Sequence, residues 1–123
     1  MLEAYSLNVE VAVDSPIPFQ NVSLKKGCTA ELSGVSTIKL NKCGVYMVAV
    51  DASSADAVTI QLYKDGVLQP QAQSTGSSVS FVTLVQVTEN NSCCPCSTPV
   101  SLQVVTDTAT TFINANITVT KIV

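Results

Sequence analysis

Five cysteines are the residues of this chain best suited to chemistry. They are Cys28, Cys43, Cys93, Cys94 and Cys96. The first two flank a segment that is predicted to form a hairpin, and the last three form a cluster around Pro95. Three interpretations fit this pattern. The thiolates form a zinc site in which the cluster is completed by the first pair, they form disulfides that leave one thiol over, or they stay free, as is usual in a reducing cytoplasm.

The remaining residues offer no catalytic constellation. The chain has no histidine, which removes the commonest general base and the commonest metal ligand. No two acidic residues form a recognisable pair. Asp51, Asp56 and Asp65 are too scattered for a calcium loop, and aspartate is typical of turns. We therefore predict that the protein is not an enzyme, has no catalytic residue, and takes no cofactor apart from the zinc alternative.

The composition limits the kinds of partner. Six lysines without any arginine argue against nucleic-acid binding. No apolar run approaches the roughly 18 residues of a membrane helix, and the first residues do not resemble a signal peptide. Only 12% of the residues are charged, against about 25% in a typical domain. We expect Ser, Thr, Asn and Gln to cover part of the surface, and other subunits to bury another part.

The elements that carry these residues are predicted to be strands of a single domain, residues 1–123. β-Branched residues dominate, no segment holds a helical period, and eight to ten short strands follow at about ten-residue spacing. Such a pattern is typical of an antiparallel sandwich or jelly roll. The uninterrupted apolar run at residues 45–50 predicts a central strand that is covered on both faces.

Several details of the pattern make separate predictions. Residues 4 to 13 alternate, which would place Leu7, Val9, Val11 and Val13 on one buried face. Asp65-Gly66 between apolar runs is a strong hairpin signal. Three polar segments are predicted to interrupt or connect strands: residues 51–56 as a break, residues 69–78 as a surface loop or short edge strand, and residues 89–99 as a loop.

The order of motifs along the chain is more specific than any one motif. An I-x-L-x-x-x-G-x-Y-x-V phrase lies at Ile38, Leu40, Gly44, Tyr46 and Val48. An L-x-x-D-G phrase follows at Leu62, Asp65 and Gly66, and the last strand carries Phe112, Ala115 and Ile117. Together they resemble the tumour-necrosis-factor-like jelly roll of the globular head of complement's first component, in its bacterial and phage branch. The family's usual Gly-Asp phrase before the penultimate strand is missing, and residues 89–99 stand there.

The resemblance implies a tight homotrimer whose inner sheet packs around a threefold axis. Tyr46, Val48, Phe81 and Phe112 are then candidates for the trimer interface or for the core. It further implies a non-enzymatic structural or adhesion module of a phage or prophage virion, such as a head fibre, decoration or receptor-binding protein. Its partners would be a capsid, another virion protein or a host surface. Alternatives are a bacterial cell-surface or spore-surface protein and a carbohydrate-binding jelly roll.

Overall fold

Nine β-strands make up most of the chain that the structure describes. The structure is a computed structural model that describes residues 1–27, 29–87 and 100–123. The strands are β1 (Leu2–Val11), β2 (Ser15–Pro16), β3 (Asn21–Lys25), β4 (Ala30–Ser33), β5 (Thr37–Leu40), β6 (Gly44–Lys64), β7 (Val67–Val87), β8 (Val100–Thr106) and β9 (Thr110–Lys121). Within these ranges no helix is long and apolar enough to span a membrane.

The two longest strands, β6 and β7, belong to two sheets at once. The first half of β6 pairs with β9 from Tyr46 to Ser54, and the second half pairs with β8 from Ile60 to Lys64. The β6–β7 register shifts between Ser53 and Val58, where both strands pass from one layer to the other. The β9 sheet therefore contains β3, β1, β9 and one half each of β6 and β7. The β8 sheet contains β4, β5, β8 and the other halves, with β2 at the end of β8.

The core lies between the inner faces of these two sheets. Alternate residues of β6 are buried on either side of its crossing segment, first in the β9 sheet and then in the β8 sheet. The apolar ones are Tyr46, Val48, Val50, Ala52, Val58, Ile60 and Leu62. They share one apolar cluster with Leu2, Phe19, Leu102, Phe112 and Ile117. Because the alternating apolar rows of both sheets meet there, the predicted all-β antiparallel sandwich is confirmed.

Three local predictions differ from the structure. Val9 and Val11 are buried, but Leu7 is exposed, because Asn8 adopts a left-handed φ of 51° and shifts the alternation. Val13 is also exposed and lies in the turn after β1. Residues 51–56 do not break the strand but continue β6. Of the two alternatives predicted for residues 69–78, the edge strand agrees with the structure, because these residues belong to β7. β7 pairs with β6 alone among the described strands, which makes it an edge strand.

Candidate functional site: the apolar face of the β9 sheet

The four residues predicted for the trimer interface or the core all lie in the core. Tyr46, Val48 and Phe112 are 0% exposed and Phe81 is 9% exposed. The Tyr46 Oη also donates a hydrogen bond of 2.7 Å to the Lys42 carbonyl. Aspartate at position 46 or 48 would bury a charge inside the chain's own core. Such a variant would therefore report on folding and not on contacts between subunits.

The described residues include one of the five cysteines. Cys43 lies just before β6, where it is buried and disulfide-bonded. Cys28, Cys93, Cys94 and Cys96 lie outside the described residues, as does the predicted loop at residues 89–99. Among the residues that are described, no group of three or more His, Cys, Asp or Glu side chains could hold a metal ion. The zinc alternative stays a prediction.

A different set of apolar residues covers the outer side of the β9 sheet. Val45, Met47 and Ala49 on β6 point away from the core and are half-buried. Their neighbours on β7 are Val82, which pairs with Ala49, and Leu84, which pairs with Met47. Val82 is 66% exposed and Leu84 is 59% exposed. We call these five residues the apolar face. Contiguous exposed apolar surface of this kind marks an interaction site more often than scattered apolar residues do.

The apolar face extends to an open sheet edge. β7 carries Val82 and Leu84 and has no strand on its outer side among the described residues. The backbone groups along such an edge invite pairing with another chain, and exposed apolar side chains strengthen that tendency. Neither a lysine nor a proline protects this half of β7, residues 78–87. The edge and the face together therefore suit contact with another protein chain.

A buried polar atom lies on the same side of the β9 sheet. Asn116 on β9 is paired with Tyr5 on β1 and with Asp51 on β6. Its Oδ1 atom is buried and has no hydrogen-bond partner among the described residues. Buried polar atoms usually have a partner, and leaving one unpaired costs about 1–3 kcal/mol.

The sequence predicts that the central strand has two apolar faces, but it does not predict which residues face outward. The apolar run at residues 45–50 predicts a strand that is covered on both faces. Periodicity shows which residues share a face, but it does not show which face meets the core. Tyr46 and Val48 are candidates because the resemblance implies central-strand residues that face neighbouring subunits. The outward residues are Val45, Met47 and Ala49.

Comparisons with known proteins identify the fold. No protein-family model matches the chain, and no curated protein matches it. The crystal structure of murine APRIL, a ligand of the tumour-necrosis-factor family, matches with a TM-score of 0.65 over 98% of this chain and 98% of that chain, at 11% sequence identity. The fold is a tumour-necrosis-factor-like jelly roll. The resemblance read from the motif order is therefore confirmed for the fold, while its bacterial and phage branch stays a prediction.

The motif residues of the jelly roll have structural reasons in this chain. Gly44 has a φ of 145°, and a Cβ atom there would meet the Val123 carbonyl and the Lys121 side chain. Asp65 and Gly66 both have positive φ, at 51° and 80°, as the tight turn between β6 and β7 requires. These residues position the strands of the apolar face. They do not themselves form a site.

Proposed function

We propose that this chain is a non-enzymatic structural or adhesion module that assembles as a homotrimer through the apolar face. The exposure of Val82 and Leu84 beside the half-buried Met47 is the observation that carries the proposal. Support also comes from the tumour-necrosis-factor-like fold. The function needs no catalytic group, because burial of apolar surface between subunits provides the driving force.

The arrangement of the β9 sheet suits a closed ring. Its outer side has two exposed apolar borders, Val82 and Leu84 on β7 and, beyond the residues of β1 that pair with β3, Leu7 on β1. β6 and β9 lie between these borders. A contact between unlike borders of neighbouring copies is heterologous. Three copies form a closed ring when each is rotated by 120° relative to the next. In that ring every copy buries both borders and no edge of β7 stays open.

The biological setting of the trimer is the second part of the proposal. A phage or prophage virion is the setting that the motif resemblance favours, with the trimer acting as a head fibre, decoration or receptor-binding protein. A capsid, another virion protein or a host surface would then be the partner. A bacterial cell-surface or spore-surface protein and a carbohydrate-binding module remain the alternatives. Purified virions or spores, probed with an antibody to the protein, would separate these settings.

Two valine substitutions on the same strand test the trimer. Val82 and Val67 both lie on β7 and have similar exposures of 66% and 63%, but Val67 pairs with Lys64 in the β8 sheet, away from the apolar face. By light scattering, we expect the wild type and Val67→Asp to have three times the 12.9 kDa chain mass. Val82→Asp should have the mass of one folded chain, because its charge would be buried in the interface. A monomeric wild type, or a trimeric Val82→Asp variant, would contradict the proposal.

A further inference from the structure

Strand β3 (Asn21–Lys25) lies at one end of the sheet order and differs in its burial from the other described strands. All five of its residues are exposed, and the exposed run extends from residue 20 to residue 27. The strand pairs with β1 alone among the described strands. None of its side chains belongs to the apolar core, so β3 depends on its contacts with β1 to stay in place.

The contacts between β3 and β1 are few and irregular. Four residue pairs join the two strands, and the register shifts between Glu3 and Ala4, where Ser23 has no paired residue on β1. The Ser23 Oγ donates a hydrogen bond of 2.7 Å to Glu3 Oε1 in an exposed position. Water competes for such a bond and reduces its net contribution to stability. The pairing of β3 is therefore weak.

Strand β4 (Ala30–Ser33), at the other end of the sheet order, offers a direct comparison. It also pairs with a single described strand, β5. Unlike β3, it buries Ala30 and packs Leu32 against the core. The entropy lost when a strand's backbone is ordered is of the same order as the net gain from its hydrogen bonds. Apolar burial then decides whether an edge strand stays in place, and β4 has such burial whereas β3 does not.

Two buried residues lie on either side of the exposed run. Phe19 and Ala30 are each 1% exposed and belong to the core. Residues 20–27 can therefore leave β1 as a loop while the two sheets stay folded. Their departure uncovers the backbone groups of β1 that face β3, between Leu2 and Tyr5. Open strand edges of this kind pair with extended segments of other chains.

We propose that β3 is a removable cover of the β1 edge, which opens without unfolding of the two sheets and gives way to an extended segment of another protein chain. The Glu3 carboxylate accepts the Ser23 hydroxyl in the closed state. The incoming segment should therefore carry a hydroxyl or ammonium donor at the position of Ser23. Because β3 and β1 belong to one subunit, this proposal does not rest on the trimer.

Amide hydrogen exchange of the wild type, followed by mass spectrometry, measures the opening. We expect the amides of residues 21–25 to exchange at least about 100-fold faster than those of β4, because a strand that opens locally exchanges without global unfolding. β4 is the internal control, since both strands lie at an end of the sheet order and have one neighbour. Equal protection of the two strands would overturn the proposal.

Proline substitutions test whether the two sheets need β3. Val22→Pro/Leu24→Pro removes two backbone donors of β3 and fixes φ at both positions. We expect its melting temperature to fall by less than about 4 °C, since no buried side chain is lost. Leu32→Pro should lower the melting temperature by more than about 10 °C, because it breaks the β4 ladder and removes an apolar side chain from the core. A double variant as unstable as Leu32→Pro would show that β3 is an integral part of the fold.

A labelled synthetic peptide with the sequence of residues 20–26 tests whether the uncovered edge accepts a second chain. By fluorescence anisotropy, it should bind Val22→Pro/Leu24→Pro at least about tenfold more tightly than the wild type, because the variant's own β3 no longer competes for the edge. The same peptide with proline at positions 22 and 24 is the control and should not bind. Failure of the peptide to bind the variant, or equal affinity for both proteins, would also overturn the proposal.

Discussion

Gly44 and Gly76 share a backbone conformation but have different surroundings. Their φ angles are 145° and 144°, in a region that residues with a side chain rarely adopt. A Cβ atom at Gly44 would lie 2.7 Å from Lys121 Cε and would also meet the Val123 carbonyl. At Gly76 the nearest atom would be 3.6 Å away. The two glycines therefore separate backbone strain from a steric clash.

We predict that Gly44→Ala destabilises the fold more than Gly76→Ala does. Both variants carry the strain of a positive φ, about 1–3 kcal/mol, but only the first forces the end of β9 away from β6. The free energy of unfolding, from urea denaturation, should be lower in Gly44→Ala by at least about 1 kcal/mol relative to Gly76→Ala. Equal losses in the two variants would show that the close approach of residues 121–123 does not matter for stability.

The sequence predicted the motif glycine but not the reason for it. The I-x-L-x-x-x-G-x-Y-x-V phrase identifies Gly44. The reason for the glycine is the close approach of the Val123 carbonyl, which comes from the far end of the chain. The exposure of Leu7, which the alternation predicts to be buried, likewise depends on the left-handed conformation of Asn8. Asparagine tolerates this conformation, but nothing in the local pattern required it. Long-range contacts and single unusual φ angles are the details that periodicity does not contain.

At the scale of elements, two hydrogen bonds connect the turn between β6 and β7 to β8. The Ser101 N–H donates to Asp65 Oδ1 at 2.9 Å, and the Asp65 N–H donates to the Ser101 carbonyl at 2.8 Å. These reciprocal bonds hold the two longest strands against the penultimate one. Aspartate is typical of turns, and the position of Asp65 in this turn agrees with that explanation rather than with a calcium ligand.

We predict that the side-chain oxygen of Asp65, and not its charge, stabilises this turn. Asp65→Asn keeps an acceptor and tolerates the positive φ, so its melting temperature should stay close to that of the wild type. Asp65→Ala loses the acceptor and is strained at a φ of 51°, so its free energy of unfolding should fall by about 1–3 kcal/mol. A similar loss in both variants would instead assign the effect to the carboxylate charge.

The lengths of β6 and β7 differ most from the prediction at the element scale. Polar residues at 51–56 suggested a break and those at 69–78 a loop or a short edge strand, yet each segment is extended within a strand of 21 residues. The first stays extended because β6 must cross from one sheet to the other. The second pairs with β6, and many of its polar side chains face solvent. A polar sequence alone does not distinguish a loop from an edge strand that has one face exposed to solvent.

At the scale of the whole molecule, one chain leaves an apolar part of its surface uncovered. The apolar face exposes Val82 and Leu84 on a strand that pairs with β6 alone among the described strands. Such a surface favours contact with copies of the same chain. The low charged fraction predicted that other subunits bury part of the surface, whereas the position of that part required the strand order.

The last prediction concerns how stability depends on protein concentration. If three chains unfold as they dissociate, three unfolded chains replace one folded trimer, and dilution favours unfolding by mass action. A tenfold dilution then lowers the free energy of unfolding by about 0.9 kcal/mol per chain, two thirds of the 1.4 kcal/mol of one tenfold step. For a domain of this size the melting temperature should fall by about 3 °C, as calorimetry can detect. Val82→Asp should melt at one temperature at all concentrations, while Val67→Asp should follow the wild type. A wild-type melting temperature that does not change on dilution would indicate that the apolar face stays uncovered, or that dissociation precedes unfolding, and the light-scattering mass at the same concentrations distinguishes these two cases.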